Sequence, residues 1–222
     1  YNLALCARRV DKLEQLKCAI EAQHPLVNIA IKSLDVNDHQ RVFEVFQEFQ
    51  QYFGSLDRII VNAGMGKGAS VGTGYFEANK QTAMTNFVAA LAQCEAAMEI
   101  FRAQNHGHLV TISSISSVRG FRRALTVYAA TKAGLSVLTE GIRADVLHLP
   151  IKVSAIYPGF IRSEINEKVK TAPFMVDTKT GCQAIVKAIE SEAPRAFVPW
   201  WPWAWLRWLI KILPLSQIRK FS

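Results

Sequence analysis

Tyr128 and Lys132 are separated by Ala-Ala-Thr in a stretch, residues 126–147, that reads as a long helix. At this spacing both side chains leave one helix face, a turn apart. A fixed positive charge beside a phenol favours the phenolate. Such a pair can exchange a proton with an alcohol or a carbonyl near neutral pH. An isolated tyrosine, with a pKa of about 10, does this poorly. Ser114 follows the strand before that helix, where a hydroxyl can hydrogen-bond the oxygen of a bound carbonyl or alcohol. Ser113, Ser114, Ser116 and Ser117 can equally cap a local turn. Asn86 falls inside another long helical stretch, residues 77–101, where asparagine is a mediocre helix former. It reads as solvated, as holding a water, or as bending the helix.

The elements that must position these groups alternate along the chain. Residues 3–6 form a short apolar run, and a helical pattern follows through Val10, Leu13, Leu16 and Ile20. Residues 27–31 read as a strand, and Val42, Val45, Phe46 and Phe49 mark one helix face. Residues 58–61 are a buried-type strand ending in Asn62-Ala63-Gly64, and a glycine-rich loop follows. Strands over 108–113 and 151–157 flank the Tyr128 helix. An irregular segment, 160–178, leads to a helix over 182–190 and a last strand over 196–198. This order predicts one α/β domain, a parallel sheet wound on both faces by helices. Ligands of such sheets bind beyond the carboxyl ends of the strands. Arg8, Asp35, Asn62, Ser114 and Pro158 each follow a strand and gather there.

The chain has 222 residues, half of them hydrophobic, which suits a single domain with a large core. Its four cysteines, Cys6, Cys18, Cys94 and Cys182, lack metal-ligand spacing and read as reduced core thiols of a cytoplasmic protein. No metal site is expected, since the five histidines form no ligand pattern either. A net charge of +8 suggests anionic partners. Nucleic acid is not expected among them, because the basic residues are spread along the chain without interleaved aromatics.

Taken together, Asn62-Ala63-Gly64, Asn86, Ile112-Ser113-Ser114, Tyr128-x-x-x-Lys132 and Pro158-Gly159 resemble the short-chain dehydrogenase/reductase family in order and spacing. The resemblance runs from residue 1 to about residue 190. It implies a Rossmann-like, doubly wound fold and an oxidoreductase that interconverts a hydroxyl and a carbonyl. Tyr128 is then the general acid/base, and Ser114 orients the substrate oxygen. Lys132 lowers the tyrosine pKa and binds the nicotinamide ribose, and Asn86 holds a relay water. Two departures stand out. The family's first strand and its Gly-rich phosphate loop are absent, so the chain reads as beginning mid-domain, short of roughly one βα half-unit. Ser114 also lies one residue further from Tyr128 than is usual, with Ser116 as the fallback.

The resemblance also bears on the cofactor. NAD-preferring relatives carry an acidic residue where this chain has Ala7, followed by Arg8 and Arg9. A guanidinium suits a ribose 2′-phosphate, so NADP(H) is expected, with Arg8 the first choice and Arg9 the second. Asp35 and Val36 match the adenine contact, and Asn62, Ala63 and Gly64 line the adenosine side. Pro158, Gly159, Ile161 and Ser163 match the segment that holds the nicotinamide carboxamide.

All five tryptophans lie between Trp200 and Trp208, and no acidic residue follows Arg195. A short apolar helix over 203–213, interrupted by Arg207 and Lys211, is expected. Over residues 200–213 the composition suits contact with a membrane surface. It also suits an oligomer interface or a lid over the substrate. A lipophilic substrate is expected on either reading, and a homo-oligomer is expected of the protein. The alternatives to an enzyme are a non-catalytic dinucleotide-binding protein of the same fold, or a peripheral membrane protein anchored by this tail.

Overall fold

A computed structural model describes residues 1–163 and 173–221. Six parallel strands run in chain order: β1 (Leu3–Ala7), β2 (Ile29–Ser33), β3 (Arg58–Val61), β4 (Gly107–Ile112), β5 (Ile151–Pro158) and β6 (Arg195–Val198). Between them lie α1 (Val10–Gln23), α2 (His39–Phe53), α3 (Phe76–Ala83), α4 (Ala89–Gln104), α5 (Leu125–Asp145) and α6 (Thr178–Glu190). After β6 come α7 (Trp200–Ile212) and α8 (Leu215–Phe221). The α/β expectation therefore holds, but the sheet is divided. β1 pairs only with β2, whereas β3, β4, β5 and β6 form a separate four-stranded sheet. A strand buried within a parallel sheet is apolar and covered on both faces. Ile60 in β3 is instead 46% exposed, as befits an edge.

Local chemistry explains most boundaries. The Asp38 side chain accepts from the Arg41 N–H at 3.1 Å and caps α2. Val42, Val45, Phe46 and Phe49, the face read from the sequence, are the buried residues of that helix. Asp177 caps α6 in the same way, accepting from the Thr180 N–H at 2.9 Å. β4 lies between two apolar layers. Leu109 joins the core with Val61, Phe101 and Val153. Its neighbour Val110 packs on the opposite face with Ile156, Ile189 and Val198.

Several expectations need correction. The helix expected over 77–101 is three pieces: α3, a π-helical turn over Met84–Val88, and α4. Leu16 is 48% exposed, and Leu13 is the buried residue of α1, so the apolar face expected there covers little. Pro158 is the last residue of β5 rather than the residue after it. The cysteines are free, but Cys18 and Cys182 are exposed; only Cys94 is buried and Cys6 half-buried. Burial pushes the Cys6 thiol up to about 11 and the Cys94 thiol to about 12, so both stay protonated. Within the segment expected to be irregular, Ile161 and Val176 pair as a parallel bridge, and residues 164–172 lie outside the described residues. α8 was not anticipated.

His108 in β4 is a buried titratable group. Arg58 Nε donates to its Nδ1 at 2.9 Å, and its Nε2 meets Ser154 Oγ at 2.8 Å. A guanidinium can only donate, so the ring proton belongs on Nε2. Burial first, then the Arg58 charge, lowers the His108 pKa from 6.5 to about 4. As pH falls below 6.5 the unfolded chain takes up this proton before the folded chain does. The stability present above pH 6.5 is thus lost progressively down to about pH 4. Thermal melts across this window should show a falling Tm. His108→Gln, which keeps a donor and an acceptor but does not titrate, should give a shallower fall.

Candidate active site

The π turn exists to place one side chain. Asn86 is fully buried within it. Its Oδ1 accepts from the Met65 N–H at 2.7 Å, and its Nδ2 donates to the Met65 carbonyl at 2.8 Å. One amide thus closes both backbone groups of Met65 in the glycine-rich loop after β3. A third contact, 3.4 Å to Thr131 Oγ1, ties Asn86 to α5. A π turn inserts one extra residue and rotates the helix, so that Asn86 faces the loop. The solvated asparagine considered from the sequence is excluded, and the helix is indeed interrupted there.

Lys132 lies on the buried side of α5, 4% exposed. Its ammonium donates to the Ile112 carbonyl at the end of β4, at 2.7 Å. Among the described residues no carboxylate pairs with it. Desolvation therefore lowers its pKa from 10.5 to about 8. The helix position of Lys132 is fixed from behind. Ser113 Oγ donates to the Lys132 carbonyl at 2.9 Å, and Ser136 Oγ donates to the same oxygen at 2.8 Å. Gly64 completes the seat. A Cβ on Gly64 would stand 3.4 Å from both Asn86 Oδ1 and Lys132 Nζ, at the near limit of ordinary van der Waals contact.

Tyr128 lies one turn before Lys132 and is half-buried. The expectation that the ammonium lowers the phenol pKa does not match this arrangement, in which burial is the largest influence on Tyr128. Burial raises the Tyr128 pKa, and a hydrogen bond from the Ser114 side chain opposes part of the rise. Ser114 is 8% exposed and does two jobs. Its Oγ also accepts from the Ser116 N–H at 3.1 Å, capping the 3₁₀ turn over Ile115–Val118. The turn-capping reading is therefore realised, and the same side chain also meets Tyr128. The fallback, Ser116, contributes a backbone N–H to this serine.

The remaining sequence candidates form two groups around this centre. Arg8 and Arg9 are exposed after β1, beside Asp35, whose pKa falls mainly through the Asn37 backbone hydrogen bond and to a smaller extent through the Arg8 charge. Asp35 Oδ1 accepts from both the Asn37 N–H and its side-chain amide, each at 3.0 Å. Val36 packs on the main core. Thr85 Oγ1 reaches Asn37 Oδ1 at 3.2 Å, joining this end of the small sheet to the π turn. Asn62 is exposed and Ala63 half-buried on the way to Gly64. In the second group, Pro158, Gly159 and Ile161 are half-buried and Ser163 is exposed at the end of β5.

The tail meets this second group. Trp203 is 2% exposed, and a Cβ on Gly159 would lie 2.0 Å from its Nε1. Phe160 and Phe174 meet the Trp203 ring edge-on, at centroid distances of 5.7 and 6.1 Å. The absence of a side chain at Gly159 therefore seats an indole in this chain. Sequence reading missed Thr131, Ser113, Ser136 and Trp203. Ser136 carried one signal, its i, i+4 spacing from Lys132. The pairing of Trp203 with Gly159 carried none.

A buried polar seat at the carboxyl ends of parallel strands, with an exposed arginine pair beside it, defines a doubly wound α/β protein of the nucleotide-binding type. The family profile described as short chain dehydrogenase matches residues 1–173. The chain belongs to the short-chain dehydrogenase family and is an oxidoreductase of it. It is similar to an uncharacterized oxidoreductase of Mycobacterium tuberculosis (strain ATCC 25618 / H37Rv), 48% identical over 221 residues, covering 100% of this chain and 87% of that one. Among solved structures, levodione reductase superposes with a TM-score of 0.79 at 20% identity, over 89% of this chain and 86% of that one. An alcohol dehydrogenase from the archaeon Thermococcus sibiricus, complexed with 5-hydroxy-NADP, gives 0.72 at 20% identity, over 96% and 81%. At these identities the structures establish the fold.

Asn86→Ala should leave the Met65 N–H and carbonyl without partners and the turn without its reason to form. A loss of roughly 2–3 kcal/mol is expected in denaturant unfolding.

Proposed function

We propose that this protein is an NADP(H)-dependent oxidoreductase that interconverts a carbonyl and a hydroxyl on a lipophilic substrate. The observation that carries the reading is the hydrogen bond between the Ser114 and Tyr128 side chains above a buried Lys132. Two hydroxyls then converge on one point, where a substrate oxygen would be held. With its pKa raised, Tyr128 is protonated at neutral pH and can donate to a carbonyl oxygen as negative charge develops there. Ser114 holds that oxygen in line. Lys132, with a pKa near 8, stays largely protonated at neutral pH and supplies a positive field beneath the site. Asn86 keeps the loop carrying Gly64 closed over the ammonium. These assignments favour reduction as the direction served by the free protein.

When bound, the nicotinamide cofactor supplies the hydride. The residues present fit such a group. Arg8 and Arg9 are exposed after β1, and the acidic residue nearby, Asp35, is turned onto Asn37 rather than offered to a ribose. This donor set favours a 2′-phosphate over a 2′-hydroxyl. Gly64 stands beside the Lys132 ammonium, where this reading places the ribose. Ala63 and Asn62 belong to the adenosine side, with Val36, and the backbone at Ile161 and the Ser163 hydroxyl to the carboxamide. The lipophilic substrate is supported by the aromatic cluster of Phe160, Phe174 and Trp203 beside Gly159. A homo-oligomer belongs to the same reading, supported by exposed Phe76 and Val137 on α3 and α5.

Two variants test the assignment. Tyr128→Phe should lower kcat by about 10²-fold or more while NADPH affinity changes little. A purified variant with a near-wild-type rate would sink the role given to Tyr128. Arg8→Ala should weaken NADPH about tenfold or more and leave NADH almost unchanged. Equal losses for both nucleotides in a binding titration would count against Arg8 as the phosphate contact.

A further inference from the structure

We propose that the outward face of α7, with the arginines gathered at its carboxyl end, seats this protein on an anionic lipid surface. α7 is apolar over most of its circumference, interrupted only by Arg207 and Lys211. Its inner face carries Trp203, Leu206, Arg207 and Ile210 at helical spacing; Trp203 is buried and the other three are half-buried. Its outer face carries Trp205, Trp208, Leu209 and Ile212, which are 47–76% exposed. The steps between those four place them within about 100° of one another around the helix. A contiguous exposed patch of this kind marks a contact surface.

The occupant is indicated by charge. No Asp or Glu follows Glu192, whereas Arg195, Arg207, Lys211, Arg219 and Lys220 do. The 119–123 segment adds to this at the end of α7. Arg119 donates to the Ile210 carbonyl at 2.9 Å and to the Leu213 carbonyl, locking the helix end to the turn that begins at Ser114. Arg123 and Arg219 lie close enough to Arg122 that both repel its charge. A second copy of this chain, meeting the same patch about a twofold axis, would set these cations against their own kind. Anionic headgroups instead neutralise them, while indole rings take the headgroup depth.

The geometry is that of a helix lying on a membrane rather than crossing it. α7 spans 13 residues with a kink at Trp201, so its continuous helix is about 16 Å against a hydrocarbon core of about 30 Å. No helix of the described residues is long and apolar enough to cross. The Trp203 side of α7 faces the Gly159 segment, so docking the outer face would leave the aromatic cluster of Phe160, Phe174 and Trp203 about one helix diameter from the lipid. The docking itself does not depend on the catalytic reading.

Every tryptophan of the chain lies between Trp200 and Trp208, so indole fluorescence reports on this segment alone. The full chain should be titrated with vesicles of phosphatidylcholine alone and of phosphatidylcholine mixed with phosphatidylglycerol. Emission should shift to the blue, and protein should float, with the mixed vesicles only, and the binding should weaken as salt rises. W205S/W208S and, separately, R123E/R219E should each weaken binding about tenfold, with unchanged circular dichroism. The exposed charge reversal keeps the test valid if the tryptophan variant misfolds. Absence of binding to the mixed vesicles, or equal binding to neutral ones, would overturn the proposal. So would a lipid-free, concentration-dependent dimer that W205S/W208S disperses, since the face would then belong to a second copy. Because the readout is lipid binding, a negative result leaves the oxidoreductase assignment untouched.

Discussion

An ammonium buried without a counter-ion among the described residues is the constraint from which much of this structure follows. Lys132 answers to a backbone carbonyl, Ile112 O, and the drop in its pKa to about 8 amounts to roughly 3 kcal/mol against the charged form. Something must hold the chain in that arrangement. Ser113 and Ser136 fix the Lys132 backbone, Gly64 leaves room at its tip, and Asn86 pins the loop that carries Gly64. The π turn is the local cost of bringing Asn86 to that loop. Strand ends, a bent helix and a glycine loop are thus arranged about one nitrogen.

The same constraint changes how the Tyr–Lys pair is understood. Spacing alone suggested that the lysine would acidify the phenol. Burial dominates instead, and the phenol keeps its proton. Ser114 moderates that, and its second bond, to the Ser116 N–H, builds the turn that continues to Arg119. Arg119 in turn holds the end of α7. The catalytic serine proposed here and the aromatic tail are therefore attached to one short segment, residues 114–119.

Much of this was legible in the sequence, for identifiable reasons. β3 was read to the residue because an apolar run there meets Asp57 on one side and Asn62 on the other. The α2 face was legible because Val42, Val45, Phe46 and Phe49 keep a helical period. The catalytic constellation was legible because each member stands at a strand end or on a helix face fixed by spacing. What escaped was tertiary. The π turn leaves no mark in periodicity, since its cause is a hydrogen-bond pair with Met65, distant in sequence. Gly159 could be noticed, but not that an indole from α7 would occupy its empty side.

The central claim is that Lys132 is a buried ammonium with no carboxylate partner among the described residues. An NMR titration of the lysine side-chain nitrogens tests it, with the Lys132 signal assigned by its loss in Lys132→Arg. A midpoint near pH 8 is predicted; one at the ordinary value of 10.5 would contradict the account.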